Sequence, residues 1–287
     1  SIAGFLNFNV SFIYPEGESL YPAKDSHYTL LFEGDTIKHG RGYVNRKNPK
    51  GILKVFSNIK QSTLLETEIT ISKTNDIVQL LSIGDDAYLY SPNKFVQFTS
   101  NIIYLVGQAE LCKIFFDEQP LLNGINYTPF KADMNGAISI RRDNVTLHNE
   151  PLTIEEGRRF DFFQITENEF LNVTIASSEA DPQDKTHSKV RFFIDPATVN
   201  VESARIIIYE GTEAVSIHDF NSKSLSPFTE LKNEGNYKYD IYDIADPANP
   251  VVVASKRTVS LKKDGVYKFQ TLKAGKYSSS FLLGTEW

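Results

Sequence analysis

His27–Gly34 (HYTLLFEG) has two counterparts later in the chain, Cys112–Glu118 (CKIFFDE) and Arg205–Gly211 (RIIIYEG). Each is an apolar run with an aromatic residue and an acid near its end. Each is followed by a polar turn between two strand-like runs, and these turns lie in Thr70–Leu81, Thr153–Phe163 and Ser260–Thr271. Units that recur at this size indicate tandem domains.

The length and composition of the chain favour β-sandwiches. Its 287 residues contain 20 Phe and 14 Tyr, residue types enriched in strands. Short alternating apolar runs are separated by Gly, Pro, Asn and Asp, and units of about 95 residues match an immunoglobulin-like domain. We therefore expect an all-β fold of three tandem immunoglobulin-like antiparallel β-sandwich domains. We place them at residues 1–86, 87–176 and 177–287, with the polar segment 177–188 as a linker before the third.

Spacing around the turns supports common ancestry of the units. An apolar residue before each turn is followed six positions later by another apolar residue: Ile71 and Ile77, Ile154 and Phe160, Leu261 and Tyr267. Seven positions before the first residue of each pair lie Leu64, Leu147 and Ala254. We interpret the six-residue step as a corner whose two flanking residues point inward. The first two units are offset by 83 to 85 residues and the third by more, which predicts an insertion around Ser222–Gly235 or Ile244–Asn249.

The segment Leu261–Phe269 (LKKDGVYKF) resembles the corner before a late strand in fibronectin-type and immunoglobulin-like sandwiches. That resemblance implies that Tyr267 hydrogen-bonds back across the corner. Ile77 and Phe160 at the matching places have no hydroxyl. The whole arrangement is similar to tandem β-sandwich domains of exported lipoproteins in Bacteroidetes-type bacteria, many of them of unknown function.

This resemblance implies an exported protein, periplasmic or on the outer cell surface, and lipid-anchored in its precursor. The lipid-bearing Cys of such proteins is not in this sequence, so a membrane would be reached only through an upstream anchor. The sequence begins at Ser1, which we interpret as a removed export signal or an artificial start point. The single cysteine, Cys112, excludes an intrachain disulfide and is expected to be a small core residue.

Charge argues against nucleic acid as a partner. The net charge is −6, and the three units carry −1, −4 and −1. The one basic loop, Lys38–Lys50, is interpreted as a solvated connection. No apolar run approaches the roughly 20 residues that span a bilayer.

No motif of an enzyme or metal site is evident. The sequence contains no phosphate-binding loop, zinc-protease motif or nucleophile elbow, and its five histidines are scattered. Glu66 and Glu68 would share one strand face at about 7 Å, a separation known from glycosidases, but their alternation favours a solvated face. Asp240, Asp243 and Asp246 could suggest calcium, but turn formation is the favoured interpretation. We therefore predict no catalytic residue, no metal and no cofactor.

Tyr88 and Tyr90 are the candidate ligand-stacking residues, since aromatic faces beside carboxylates can stack on sugars. The alternative is that they cover the junction of units one and two, and that Trp287 docks on the last sheet. The sequence predicts a non-catalytic cell-surface protein for adhesion, ligand capture or spacing, with a glycan or protein partner. One alternative is a carbohydrate-active enzyme accessory with a site at an inter-domain cleft. The other is a subunit of a surface fibre assembled by strand exchange, with Ser278–Leu283 as the donor strand.

Overall fold

A computed structural model describes residues 3–13, 19–20, 27–104, 112–176, 178–196, 198–262, 266–273 and 276–281. Strands dominate these ranges. Helical structure within them is limited to two 3-10 turns, Lys38–Gly40 and Pro92–Lys94. No helix in the described part of the chain is long and apolar enough to cross a membrane. Trp287 lies outside the described residues.

The first repeat contains nine strands in two sheets. They are β1 (Phe5–Ile13), β2 (Ser19–Leu20), β3 (Tyr28–Phe32), β4 (Asp35–Thr36), β5 (Arg41–Asn45), β6 (Lys50–Ser57), β7 (Ser62–Thr70), β8 (Asp76–Ile83) and β9 (Asp86–Leu89). One sheet has the order β2-β1-β8-β9, with β5 also paired to β1, and the other has the order β4-β3-β6-β7.

The second repeat contains eight strands. They are β10 (Phe95–Tyr104), β11 (Lys113–Phe116), β12 (Gln119–Leu121), β13 (Gly124–Pro129), β14 (Asn135–Arg142), β15 (Val145–Thr153), β16 (Arg159–Thr166) and β17 (Glu169–Asn172). The sheet orders are β13-β10-β16-β17 and β12-β11-β14-β15.

The third repeat also contains eight strands. They are β18 (His187–Ile194), β19 (Ser203–Glu210), β20 (Glu213–Asn221), β21 (Thr229–Lys232), β22 (Tyr237–Asp243), β23 (Val251–Val259), β24 (Tyr267–Lys273) and β25 (Lys276–Phe281). The sheet orders are β21-β18-β24-β25 and β20-β19-β22-β23.

The same pair of sheets therefore occurs three times, each with four strands except for the five-stranded sheet of the first repeat. The first strand of each repeat lies between a shorter strand, which is β5, β13 or β21, and the penultimate strand, which is β8, β16 or β24. The second sheet has the same order in all three repeats. The predicted fold class, three tandem immunoglobulin-like sandwiches, is confirmed. The sheets are mostly antiparallel, but β1 pairs with β8, and β18 with β24, in parallel.

Alternation along the strands explains why these segments form sandwiches. On β1 the buried side chains are Leu6, Phe8, Val10 and Phe12, every second residue. They share one core with Leu53 of the opposite sheet. A strand whose alternate side chains are apolar must cover that face with another sheet, which produces two layers.

The ladders β6–β7 and β14–β15 correspond pair for pair. Each begins with a Lys or Asn paired to a Thr, runs through eight pairs, and is interrupted once by a single extra residue. The extra residue is Leu64 in the first repeat and Leu147 in the second, so the conserved seven-residue spacing marks a β-bulge. Shared bulges of this kind support common ancestry of these two repeats.

The change of offset between the two repeats lies in one turn. The offset is 85 residues from Lys50 to Asn135 and 83 residues from Thr70 to Thr153. Four residues join β6 to β7, whereas only Asp143 and Asn144 join β14 to β15. Asp143 and Asn144 both have positive φ, 49° and 66°, as a two-residue hairpin turn of type I′ requires.

The recurring aromatic–acid pair closes a hairpin. Glu33 has a φ of 50°, and its Oε1 accepts a hydrogen bond from the Ile52 amide at 2.8 Å. Asp117 has a φ of 51°, and its Oδ1 accepts one from the Ala137 amide at 2.9 Å. The acid thereby occupies the turn and binds the neighbouring strand.

A glycine on that neighbouring strand accommodates the aromatic ring. A Cβ at Gly51 would lie 2.5 Å from Cζ of Phe32, and one at Gly136 would lie 2.6 Å from Cζ of Phe116. The third repeat departs from this arrangement, because Glu210 itself pairs with Glu213 and lies in the ladder. Its β20 is also nine residues long, where β4 and β12 have two and three.

The predicted corner is only partly correct. Phe160 is buried as expected, but Ile77 is 62% exposed and its neighbour Val78 occupies the core. The expectation that Ile77 points inward is therefore wrong. Among the described residues, Tyr267 hydrogen-bonds upstream to the segment before β18: its hydroxyl donates to Asp181 Oδ1 at 2.9 Å. Residues 263–265 of that corner lie outside the described residues.

Contacts between Cα atoms divide the chain into two compact units. One contains Ser1–Asn101 and Cys112–Arg158, and the other contains Ile102–Leu111 and Arg159–Trp287. The three-domain boundaries therefore remain a prediction. Strand β9 pairs with β8 as far as Leu89, three residues beyond the predicted end of the first domain at residue 86.

The predicted linker is attached to the third repeat over the part that the structure describes. Lys189 Nζ donates to Glu179 Oε1 at 2.7 Å, and the Gln183 amide donates to Glu230 Oε1 at 3.1 Å. Together with the bond from Tyr267, these contacts hold the segment against the sheet.

Candidate functional site

The candidate residues Tyr88 and Tyr90 lie in a cluster of four aromatic rings. The Tyr90 and Phe95 rings are stacked with centroids 5.8 Å apart, and Tyr88 meets the edge of Phe95 at 5.8 Å. Tyr127 meets Tyr90 edge-on at 6.1 Å. We call Tyr88, Tyr90, Phe95 and Tyr127 the first junction cluster, because β9 of the first repeat and β10 and β13 of the second contribute to it.

All four rings of the first junction cluster are half-buried. Burial raises the pKa of Tyr88, and the nearby charge of Asp86 adds to this rise. Burial likewise raises the pKa of Tyr127, with further contributions from Tyr90 and Glu156. Both phenols therefore stay protonated at neutral pH and act only as hydrogen-bonding or stacking groups.

The cluster has part of each ring in contact with another ring and part in contact with water. This is the arrangement expected if the tyrosines cover a junction, and it leaves partial ring faces for a ligand. Sequence reasoning missed Phe95 and Tyr127. Phe95 follows Tyr90 closely and could have been included, whereas Tyr127 is brought in only by the β10–β13 pairing.

Glu66 and Glu68 are exposed on β7, the last strand in its sheet order. Glu66 Oε1 lies 4.0 Å from Lys54 Nζ on the adjacent strand. The two carboxylates thus occupy the solvent face of a half-buried strand. This geometry does not favour the enzyme-accessory alternative.

The three aspartates at 240, 243 and 246 each form local hydrogen bonds. Asp240 Oδ1 accepts from the Lys256 amide at 2.7 Å, and Asp243 Oδ1 accepts from the Ala245 amide at 2.9 Å. Asp246 accepts from the Ala248 amide and from Asn249 Nδ2, and the latter bond lowers the pKa of Asp246 most. Asp243 and Asp246 thus accept hydrogen bonds within turns, whereas Asp240 lies in β22 and binds across a bulge of the adjacent strand and not in a turn.

Histidines form local polar pairs. His148 Nε2 lies 2.8 Å from Glu150 Oε1, and His187 Nδ1 lies 2.9 Å from Asp184 Oδ1. Hydrogen bonds from Thr186 and His187 lower the pKa of Asp184 to about 2. Within the described ranges no group of three or more His, Cys, Asp or Glu side chains could hold a metal ion.

Cys112 is half-buried and precedes β11. Arg142 Nη2 lies 3.6 Å from its sulfur. The expectation of a core cysteine is therefore wrong, because the residue falls before the strand and not within its inward-facing positions.

A second aromatic cluster joins the second and third repeats, and sequence reasoning did not identify it. Phe163 of β16 meets Phe269 of β24 edge-on at 4.4 Å and Phe193 of β18 at 5.8 Å. Together with Ile165 and Val173 these rings form one buried apolar cluster. We call Phe163, Phe193 and Phe269 the second junction cluster. Nearby, Lys223 Nζ donates to Glu169 Oε1 at 2.9 Å.

The candidate donor strand is paired within its own sheet. Strand β25 is antiparallel to β24 from Lys268↔Phe281 to Lys273↔Lys276. Leu282 and Leu283 of the predicted donor segment lie outside the described residues. A strand already paired in this way gives the strand-exchange alternative no support.

Comparison with known proteins yields no family. No family model and no curated protein matches the chain. Solved structures to which it is similar include the Bacillus anthracis TIE protein, at 14% identity and a TM-score of 0.23, covering 94% of this chain and 50% of that one. The chain thus spans half the length of that protein.

Two further similar structures are matched over nearly their full length. A DUF3823 family protein from Bacteroides ovatus ATCC 8483 has 11% identity and a TM-score of 0.19, covering 90% of this chain and 99% of that one. BcpA, the major pilin subunit of Bacillus cereus, has 6% identity and a TM-score of 0.19, covering 94% and 98%. Likeness at these TM-scores supports no argument about function.

Proposed function

We propose that this chain is a non-catalytic protein of a bacterial cell surface that spaces and presents a ligand-capturing sandwich. The observation that carries the proposal is the packing of aromatic side chains where neighbouring repeats meet. At the second junction Phe163, Phe193 and Phe269 are all buried. An aromatic cluster of this kind opposes hinge motion, because separating the rings would expose their apolar area to water.

The chemistry of the described side chains supports the same proposal. The carboxylates, histidines and cysteine considered above lie in turns, in local pairs or on an open strand face. A catalytic site requires a nucleophile, acid or base positioned against a pocket. Asp243 borders a cleft beside β23, but its Oδ1 accepts the Ala245 amide, and no second carboxylate, histidine or cysteine is among the described residues that line that cleft. The resemblance to exported tandem sandwiches suggests the location, with a lipid anchor upstream.

Surface labelling of the source cells tests the proposed location. An antibody raised against the purified chain is expected to label intact cells, and permeabilisation should add little signal. Labelling that appears only after the inner membrane is opened would overturn the surface assignment.

A turnover assay tests the non-catalytic part. The purified chain is incubated with polysaccharides, oligosaccharides and peptides, and products are measured by mass spectrometry. We expect none. Product formation that is lost in a Glu66→Gln, Glu68→Gln variant but kept in Glu118→Gln, a matched exposed carboxylate, would contradict the proposal and restore the enzyme-accessory reading.

A further inference from the structure

The third repeat contains a cleft of about 400 Å³ beside β23. Its walls include Val253 of β23, Leu272 of β24, and Val199 and Val201 of the segment between β18 and β19. This volume lies within the range of small-ligand sites.

The walls of the cleft are held in place by backbone hydrogen bonds. The amides of Thr198 and Val199 donate to the Asp195 carbonyl, at 3.2 and 2.9 Å, and the Asp195 amide donates to the Leu272 carbonyl at 2.9 Å. Leu272 and Val201 are buried in the core of the repeat. The apolar walls therefore exist before any ligand enters.

An extra bulge places Arg257 at the cleft. Arg257 is opposite Tyr239, but the next pair in the ladder is Ile241 with Ala254, so Asp240 faces two residues of β23. Since Tyr239 points into the core, its partner Arg257 is on the core side of an edge strand. The equivalent ladders of the first and second repeats have one break each, whereas this one has two.

The bulge contains a strained residue, Lys256, which is held in place by Asp240. Lys256 has a φ of 52°, in the left-handed region that non-glycine residues seldom adopt. Asp240 Oδ1 accepts hydrogen bonds from the Lys256 amide at 2.7 Å and from Ser255 Oγ at 3.2 Å. Strain that is held in place by a specific carboxylate, next to a cleft, is a reason to look for a ligand there.

The two charged groups that line the cleft lie at opposite ends of it. Arg257 pairs with Tyr239 of β22, and Asp243 lies four residues beyond Tyr239 on the same strand. At the rise of a strand, the backbone positions of Tyr239 and Asp243 are about 13 Å apart. Arg257 forms no ion pair with the residues the structure describes. The other side chains that line the cleft are aliphatic except for Thr198 and Asn200, so the cleft has an anionic group at one end, a cationic group at the other and a mostly aliphatic lining with two polar side chains.

We propose that this cleft binds a short aliphatic peptide with free termini. Its ammonium group would lie at Asp243, its carboxylate at Arg257 and its side chains against the valines and Leu272. A separation of about 13 Å matches an extended peptide of about three or four residues. Asn200, which also lines the cleft, can hydrogen-bond to the peptide groups. The peptide would run parallel to β23.

Titration calorimetry with trivaline tests the proposal directly. We expect saturable binding to the full chain that weakens about tenfold or more when the peptide is N-acetylated, and again when it is C-amidated. The comparison ligand is 8-aminooctanoate, which has similar charge spacing but no peptide groups. Equal binding of 8-aminooctanoate would overturn the peptide assignment, and no saturable binding of trivaline below about 10 mM would overturn the site.

Variants of the chain test each end separately. Arg257→Gln should make trivaline and its C-terminal amide bind equally. Asp243→Asn keeps an acceptor for the Ala245 amide and should make trivaline and N-acetylated trivaline bind equally. Arg205→Gln is the control, because Arg205 lies on the other face of the sheet and pairs with Asp219 at 2.7 Å. Unchanged discrimination in a folded Arg257→Gln variant would contradict the proposal.

Arg257→Lys keeps the charge and is the second variant if Arg257→Gln fails to fold. It should retain a weakened preference for the acid, because the Arg257 guanidinium can hold a carboxylate through two parallel N–H bonds and a lysine ammonium cannot. A preference equal to that of the parent would count against this two-bond contact. These results do not depend on where the protein resides or on its lack of turnover. The proposed function and the peptide site can therefore fail separately.

Discussion

The ring of Phe116 lies so close to Gly136 that no side chain fits at this position without displacing it. A Cβ there would be 2.6 Å from Phe116 Cζ and 2.8 Å from Asp117 Oδ1, so a methyl group would displace a buried ring. We expect Gly136→Ala to lower the free energy of unfolding by about 1–3 kcal/mol, as for other overpacked sites. Urea unfolding followed by fluorescence measures this change.

Asn149→Ala on the adjacent strand is the matched control for Gly136→Ala. Asn149 is exposed, and its replacement should change stability by less than about 0.5 kcal/mol. Equal stability of the two variants would show that the Phe116 ring moves aside at little cost.

Lys268 has a charge that the fold disfavours. It is 1% exposed on β24, and burial, followed by repulsion from Lys262, lowers its pKa from 10.5 to about 8. Between pH 8 and 10.5 the unfolded chain therefore binds one more proton than the folded chain, and stability should rise with pH by roughly 3 kcal/mol at most. Lys268→Met should remove this rise and melt higher than the parent at pH 7.

Melting temperatures of the parent and of Lys268→Met are measured at pH 7, 8, 9 and 10. The difference between the two proteins at each pH isolates the effect of Lys268 from that of other titrating groups. Lys238→Met, at an exposed position of β22, is the control and should follow the parent. If the parent and Lys268→Met have parallel pH profiles, the Lys268 ammonium is not destabilised by burial.

At the scale of elements, β16 separates two interfaces on its two faces. Phe163 belongs to the second junction cluster, while its neighbour Phe162 is buried on the opposite face. We expect Phe163→Ala to lower stability by about 3–5 kcal/mol and to split the calorimetric unfolding of the second and third repeats into two transitions.

Phe162→Ala serves as the matched control, since it removes the same ring from the core side of the same strand. It should destabilise the chain to a similar extent but leave the two repeats coupled. Two transitions in both variants would show that the junction has no particular part in coupling.

The sequence analysis succeeded where a pattern repeats and failed where one residue changes the register. The all-β fold class and the tandem repeats were predicted from alternation and spacing, and the seven-residue step reflects a bulge at Leu64 and Leu147. The inward position after the corner was missed at Ile77, because moving one residue along a strand reverses the face. The second junction cluster could not be foreseen, since outward-facing Phe residues look the same whether water or another sandwich covers them.

The whole molecule depends on contacts between repeats as well as within them. Residues 177–287 contain a complete core of their own around Tyr239, Ile206 and Phe192. Expressed alone, this fragment should fold but expose Phe193 and Phe269, which in the full chain are buried against Phe163. We expect it to bind the dye ANS and to be less stable than the same repeat in the intact chain.

The matched fragment with Phe193→Ser and Phe269→Ser should lose the ANS signal while keeping its strand content by circular dichroism. A parent fragment that binds no ANS and melts at the temperature of the intact chain would show that the second junction adds no stability to the third repeat.

The pairwise match of β6–β7 and β14–β15 also has a consequence for how such chains evolve. Both hairpins have the same strand lengths and a bulge at the same place. They differ only in the turn at the solvent-exposed end of the hairpin, which is two residues longer in the first repeat. Recombination could therefore exchange one hairpin for the other without reversing the face of any side chain. Gene segments with this property can be shuffled between repeats, so the array can diversify its surfaces while every ladder stays in register.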